Sequence, residues 1–381
     1  MRVPLVAGLM VPLLVAFSVS ARSDPLSDCL SAEAEDPVTA CGIVIDDSST
    51  ADDALIKALL RRANSYLDQD DPESALADFE VVTQKSPLLA EAWRGKAKAA
   101  FDNGDSDVAM DAVNRAIGLD DKDAVAHELR GDIEFDSENY ADAIADYEKA
   151  GAINPGRADI WRSLADAHSE LGEYLKSTDF YTVAINLEPD NADLYNNRGF
   201  DFLNAKEYEK ARSDFEKALS ISPDDPLFHR NLADVLADLK RGDEALTHYA
   251  RAIELDPGDS SALTNRAYLY MTQKNWTAAR SDLDKALEID ESDPISWSNR
   301  SEVRFETGDI DGALEDADQA LGIDDNESDA WFNKAQALEA RGNLADALSA
   351  YRSAIEKDNL PEARIPLANE KITALEAKLK G

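Results

Sequence analysis

The thirty-four residues ADLYNNRGFDFLNAKEYEKARSDFEKALSISPDD (Ala192–Asp225) are one period of a longer pattern. Apolar and small residues recur at three- and four-residue steps in two blocks, which predicts two amphipathic helices. The first block carries bulky Tyr195 and small Gly199; the second carries small Ala211 and Ala218. Pro223 punctuates the end. The same proline returns at Pro155, Pro189 and Pro257, in steps of thirty-four, and Pro87 lies two steps before Pro155.

A fixed period has to be settled before any other fold reasoning. Frames begin at 56, 90, 124, 158, 192, 226, 260, 294 and 328, and a residue's slot is its place within its frame. Slot 4 holds Leu59, Trp93, His127, Trp161, Tyr195, His229, Leu263, Trp297 and Trp331. Slot 8 is Ala, Gly or Ser throughout, slot 20 is Ala except for Ser177, and slot 27 is Ala except for Val82. Small residues at slots 8 and 20 let paired helices approach closely. Gly104, Gly172, Gly308 and Gly342 fall at slot 15, where the first helix stops and the chain reverses. Asp and Ser around slots 31 to 34 suit caps for the next helix.

Bulk at slot 4, Gly or Ala at 8, an aromatic at 11, Ala at 20, an aromatic at 24, Ala at 27 and Pro at 32 resembles the tetratricopeptide repeat. The frame at 192 shows it with Tyr195, Gly199, Phe202, Ala211, Phe215, Ala218 and Pro223. The resemblance covers 56–361 as nine repeats. It implies an all-α, right-handed superhelical solenoid of stacked helical hairpins, with first helices lining a concave face. The frame at 294 departs from it, with Arg304 and Ala317 where rings are usual, which predicts weaker local packing. Residues 362–381 read as a C-terminal capping helix, with Ile365, Ala368, Ile372, Leu375 and Leu379 on one stripe.

In this family the groove is lined by slots 2, 5, 6, 9, 12 and 13. Slot 6 ends in five asparagines, Asn197, Asn231, Asn265, Asn299 and Asn333. An amide offers a donor and an acceptor, so such a ladder can bond the backbone of an extended peptide. The alternative is common family usage that tidies helix starts. Slot 9 brings Asp132, Asp166, Asp234 and Glu302. Facing inward they form a trough for Lys- or Arg-bearing partners; otherwise they are a solvated face of an acidic protein. No frame carries the Lys–Asn pair at slots 5 and 9 with which the chaperone-adaptor branch clamps a C-terminal carboxylate. Phe101, Phe135, Phe200, Tyr268 and Phe305, at slots 9 and 12, are rings on which a polysaccharide could stack.

His127, His168, His229 and His248 all occupy repeat slots, which favours a packing role over a catalytic or metal-ligand one. The sequence offers no His-Glu-x-x-His, Gly-rich phosphate loop or nucleophile elbow. The expectation is a non-enzymatic scaffold that binds protein or peptide partners, with no cofactor or metal. The alternative is an envelope polysaccharide-binding or assembly factor. A net charge of −38 argues against nucleic-acid partners and anionic membrane surfaces.

Residues 1–21 have the layout of a secretory signal peptide: Arg2, an apolar run from Val3 to Phe17, and small Val19-Ser20-Ala21. Its removal moves the net charge to −39 and places the mature protein in the periplasm or outside the cell. Only two cysteines exist, Cys29 and Cys41. Extending the frame back one step makes 22–55 a degenerate N-terminal hairpin with Cys29 at slot 8 and Cys41 at slot 20, where paired helices come closest. A disulfide that staples the terminal hairpin is expected.

Overall fold

The computed structural model describes residues 24–31, 35–357 and 359–380; the leader read at 1–21 lies outside them. Every regular element among the described residues is an α-helix. The chain divides into two compact units, one ending at Pro155 and one beginning at Gly156.

The first unit contains α1 (Pro25–Leu30), α2 (Pro37–Asp46), α3 (Asp52–Asp68), α4 (Pro72–Lys85), α5 (Ala90–Asp102), α6 (Ser106–Leu119), α7 (Ala124–Asp136) and α8 (Tyr140–Ile153). The second opens with α9 (Ala158–Glu170), α10 (Tyr174–Leu187), α11 (Ala192–Asn204), α12 (Tyr208–Ile221), α13 (Pro226–Asp238) and α14 (Gly242–Leu255). It continues with α15 (Ser260–Thr272), α16 (Trp276–Ile289), α17 (Pro294–Glu306), α18 (Ile310–Ile323), α19 (Ser328–Ala340), α20 (Leu344–Glu356) and α21 (Ile365–Lys380). Within each unit, helices adjacent in sequence pack as hairpins and each hairpin packs on the next, which makes an all-α solenoid of helical pairs.

Local chemistry sets where each helix begins and ends. Asp123, Asn191, Asp225, Asp259 and Asp293, all at slot 34, accept hydrogen bonds from the first backbone N–H groups of α7, α11, α13, α15 and α17. Slot 15 takes the left-handed conformation in all nine frames. Gly104, Gly172, Gly308 and Gly342 have φ between 74° and 88°; Asp70, Glu138, Lys206, Lys240 and Lys274 have φ between 58° and 61°. The turn therefore demands αL whichever residue stands there.

Close packing explains the small slots. The alanines at slots 20 and 27 are all fully buried. A Cβ at Gly199 would meet the Phe215 ring at 2.9 Å, and one at Gly131 would meet the Tyr147 ring at 2.6 Å. Slot 4 selects rings with a polar hydrogen. Trp93, Tyr195, Trp297 and Trp331 donate to the slot-32 carbonyls of Pro87, Pro189, Glu291 and Asp325 at 2.8–3.2 Å. His127 and His229 place Nε2 against the equivalent carbonyls of Asp121 and Pro223.

A second spacing braces each hairpin. Arg62, Arg130, Arg198, Arg266 and Arg300 at slot 7 grip Asp78, Asp146, Asp214, Asp282 and Asp316 at slot 23 with paired bonds of 2.7–3.0 Å. All five carboxylates are buried. Where slot 7 is leucine the partner changes with it, Leu164 with Phe180 and Leu232 with His248. In the frame at 294, the Arg304 side chain reaches Asp316 at 3.1 Å and the Gly312 carbonyl at 3.1 Å, so the missing rings are replaced by an ionic contact.

At the start of the described chain, Cys29 and Cys41 form a disulfide that joins α1 to α2. Both are fully buried with Val44 and Ala58, whereas Ile43 is exposed. At the other end, Ala368 and Leu375 of α21 are fully buried against the last hairpin, and Ile372 packs beside them. Ile365 and Leu379 stay largely exposed, so the apolar stripe is buried only along its middle.

Candidate peptide-binding wall

In the second unit, α9, α11, α13, α15, α17 and α19 carry the inward slots. Slots 2, 6, 9 and 13 fall three or four residues apart and so share one face of each helix. Consecutive first helices bring slot 6 of one repeat against slots 5 and 9 of the repeat before. Asn231 donates to Asn196 Oδ1 at 2.8 Å, and Asn265 to Asp234 Oδ1 at 3.0 Å. Asn333 donates to the Ser298 carbonyl at 3.0 Å. Asn197 accepts from Asn196 at 3.2 Å, and Asn299 is part-exposed.

The ladder therefore divides. Asn231 is 8% exposed and Asn333 1%: both amides donate from helix to helix, Asn231 is sealed, and the Oδ1 of Asn333 is covered by the Arg364 side chain. Asn197, Asn265 and Asn299 remain reachable. A sequence shows that an amide recurs; it does not show which neighbour takes its hydrogens.

The slot-9 carboxylates are half-buried, with a tyrosine hydroxyl donating to three of them. Tyr147 reaches Asp132 at 2.9 Å, and Tyr181 and Tyr249 bond Asp166 and Asp234. Burial raises the Asp166 and Asp234 pKa values above the usual carboxylate range, despite the phenol bonds that favour the ionised form. The same burial, with the carboxylate beside them, pushes Tyr181 and Tyr249 upward, so both phenols stay protonated donors. Glu302 instead holds Arg364, at 2.5 Å.

Asp234, Asp238, Asn265 and Tyr268 border an open cavity of about 800 Å³ where α13, α14 and α15 meet. Tyr268 is 57% exposed there. Lys240 and Arg241 line the same cavity, with Arg241 held by Glu244 at 2.7 Å. In the first unit, Asp132 shares a smaller cavity with Arg94 and Lys98, and Arg94 bonds Asp123 at 2.6 Å. The acidic trough expected along the whole array is thus mixed with cations in both units. Of the five candidate stacking rings, Phe200 and Tyr268 are exposed; Phe135 packs edge-on against Tyr140, and Phe101 and Phe305 are part-buried.

The histidines serve packing and hydrogen bonding. His168 is buried, stacks on Phe180 and bonds Glu173 at 2.8 Å; His229 and His248 face each other. Burial, then the neighbouring His229, lowers the His248 pKa. One buried group escaped the sequence reading. Asp201 occupies slot 10, elsewhere mostly apolar, and is 1% exposed with Ser169 donating to it at 2.6 Å. Burial raises its pKa to about 6. Ser177, the lone exception in the slot-20 alanines, lies beside it and was the available signal.

A family model described as Tetratricopeptide repeat matches residues 60–124, 196–260, 230–294 and 298–363, and one described as TPR repeat matches 131–172. The chain belongs to the tetratricopeptide repeat family. Solved structures with a similar fold include a tetratricopeptide repeat protein from Parabacteroides merdae, 19% identical, with a TM-score of 0.54 over 65% of this chain and 98% of that one. The C-terminal part of a TPR repeat-containing protein from Cytophaga hutchinsonii is 18% identical, with a TM-score of 0.54 over 63% of this chain and 98% of that one. The APC/C hetero-tetramer Cut9-Hcn1 gives 17% and 0.52, over 82% and 62%. At these identities the likeness is one of fold.

Among curated proteins, the heat shock protein sti1 homolog of Schizosaccharomyces pombe is 32% identical over 85 residues, 22% of this chain and 14% of that protein. The match thus spans about a seventh of that protein's length. Among the described residues of this tetratricopeptide array, no helix is long and apolar enough to cross a membrane.

Proposed function

We propose that this tetratricopeptide array is a non-enzymatic scaffold of an exported compartment, and that the first-helix wall of its second unit holds extended, cationic segments of partner proteins. The observation that carries the reading is the cavity at α13–α15. There Asp234 and exposed Asp238 stand beside the reachable amide of Asn265 and the open ring of Tyr268. Carboxylates beside an aromatic face suit a Lys or Arg side chain, and the amide suits a peptide backbone. The paired cysteines and the apolar leader-like start support the compartment.

A peptide array probed at low and at moderate salt tests this. Salt-sensitive capture of basic extended peptides is expected, with at least a ten-fold loss in Tyr268→Ala combined with Asn265→Ala. Asn231 is left intact because its buried amide holds α13 to α11. A second reading, envelope polysaccharide binding, is favoured by exposed Phe200 and Tyr268. Glycan capture without peptide capture would replace the first reading with it.

A further inference from the structure

Arg364, in the turn before α21, lies on the first-helix wall. Its Nη2 donates to Glu302 Oε2 at 2.5 Å, and its Nη1 contacts Asp329 Oδ1 at 2.9 Å and Asn333 Oδ1 at 3.4 Å. The guanidinium also sits 5.3 Å from the Phe332 ring centroid. In repeat terms, an arginine is held by slot 9 of one frame and by slots 2 and 6 of the next. The chain thus displays, with its own side chain, what this combination of slots binds.

The other junctions of the second unit can be compared slot by slot. Between 192 and 226 the set is Phe200, Leu227 and Asn231, and between 260 and 294 it is Tyr268, Ile295 and Asn299; all four apolar residues are exposed. Between 226 and 260 it is Asp234, Ser261 and Asn265, where slot 2 supplies no carboxylate and the amide donates to Asp234. Only between 158 and 192 do two carboxylates and an amide recur, as Asp166, Asp193 and Asn197.

We propose that Asp166, Asp193 and Asn197, on facing sides of α9 and α11, form an open subsite for the guanidinium of an arginine in a partner segment. The proposal rests on the peptide-holding reading above and names the side chain this part of the wall selects. α9 and α11 are held in contact, since Ser169 Oγ donates to Asp201 Oδ1 at 2.6 Å. Asp193 is exposed, and Asn197 Oδ1 keeps a lone pair beyond its bond from Asn196. Glu170 and buried Asp201 add negative charge around Asp166, and exposed Arg162, one turn away on α9, opposes it. The Tyr181 hydroxyl, bonded to Asp166, fixes that carboxylate in place.

The alternation of acidic and apolar sets gives the segment a pattern. Neighbouring first helices stand roughly 8–10 Å apart and an extended chain rises about 3.3 Å per residue. An arginine at Asp166–Asp193–Asn197 therefore places a residue about three positions away over Phe200 and Leu227, where an apolar side chain fits.

The test uses a labelled Leu-Gly-Ser-Arg-Gly-Ser-Leu peptide and its citrulline counterpart, which keeps the shape and loses the charge. Fluorescence anisotropy with the full chain should show the citrulline peptide binding at least ten-fold more weakly. Asp193→Asn, a change at an exposed side chain, should cost the arginine peptide a similar factor. Arg364→Gln should open the second copy, so that calorimetry reads an additional equivalent of peptide, and Glu302→Gln with Arg364→Gln should abolish that gain. If α21 loosens in Arg364→Gln the site is emptied all the same, so the extra equivalent is expected either way.

Equal binding of the two peptides, or an affinity that Asp193→Asn leaves unchanged while Tyr268→Ala lowers it, overturns the subsite and leaves the wall as a peptide receptor. No additional equivalent in Arg364→Gln overturns the template. Failure of every peptide to bind overturns the subsite and the broader reading together.

Discussion

Lys240 shows how strongly one position is constrained by its turn. Its φ of 61° lies in the left-handed region, which costs an L-residue roughly 1 kcal/mol and glycine almost nothing. Lys240→Gly should raise stability by about 0.5–1 kcal/mol in chemical denaturation, the gain being reduced by the freedom glycine adds to the unfolded chain. A loss of stability would contradict the turn geometry. Asp201 makes a pH-dependent prediction. Its folded-state pKa, about 6, stands above the unfolded value, so the stability it allows is fully present below about pH 4 and is lost as pH rises through 6. Asp201→Asn keeps the acceptor for Ser169 and should stabilise the protein by about 2 kcal/mol at pH 7, with no gain near pH 4. Thermal unfolding at both pH values checks this, and an equal effect at both would contradict it.

Among elements, the slot-7 arginine and slot-23 aspartate are the brace between the two helices of a hairpin. Arg266→Ala leaves Asp282 buried without its partner and should cost about 3–5 kcal/mol. The chain contains its own replacement, Leu164 with Phe180. Arg266→Leu with Asp282→Phe together should therefore cost clearly less than Arg266→Ala alone, measured by denaturant midpoint. At the terminal hairpin, replacing Cys29 and Cys41 by Ser should remove about 3 kcal/mol from local unfolding of α1 and α2, read by amide exchange. Thiol titration of the native protein should find no reactive cysteine.

Much of this level was legible in the sequence, since the first residues of α5, α7, α9, α11, α13, α15, α17 and α19 are those of the thirty-four-residue frames. Small residues and prolines report on backbone proximity, which is periodic. The ionic brace, sixteen residues long, is equally periodic, but charged residues on helices usually signal solvent, so its spacing alone does not announce a buried pair. The ladder was half legible: slot 6 recurs, but the inward rotation of Asn231 and Asn333 depends on how one hairpin meets the next. Arg364, outside the repeat, carried no periodic signal, so its place on the wall could only come from the folded chain.

At the scale of the molecule, a net charge of −38 accompanies a wall on which carboxylates and open apolar side chains alternate. Binding to such a wall should weaken as salt rises, because exposed charges are screened over about 8–10 Å at physiological ionic strength. The central claim is that the first helices of the second unit, and not the second helices, receive the partner segment. Photo-crosslinking tests it most directly, with a benzophenone residue at Phe200 or Tyr268 on the wall, or at exposed Val183 or Ile289 on second helices. With a basic peptide selected from the array, salt-sensitive adducts are expected from positions 200 and 268 only. Adducts from 183 or 289, with none from the wall, would contradict it.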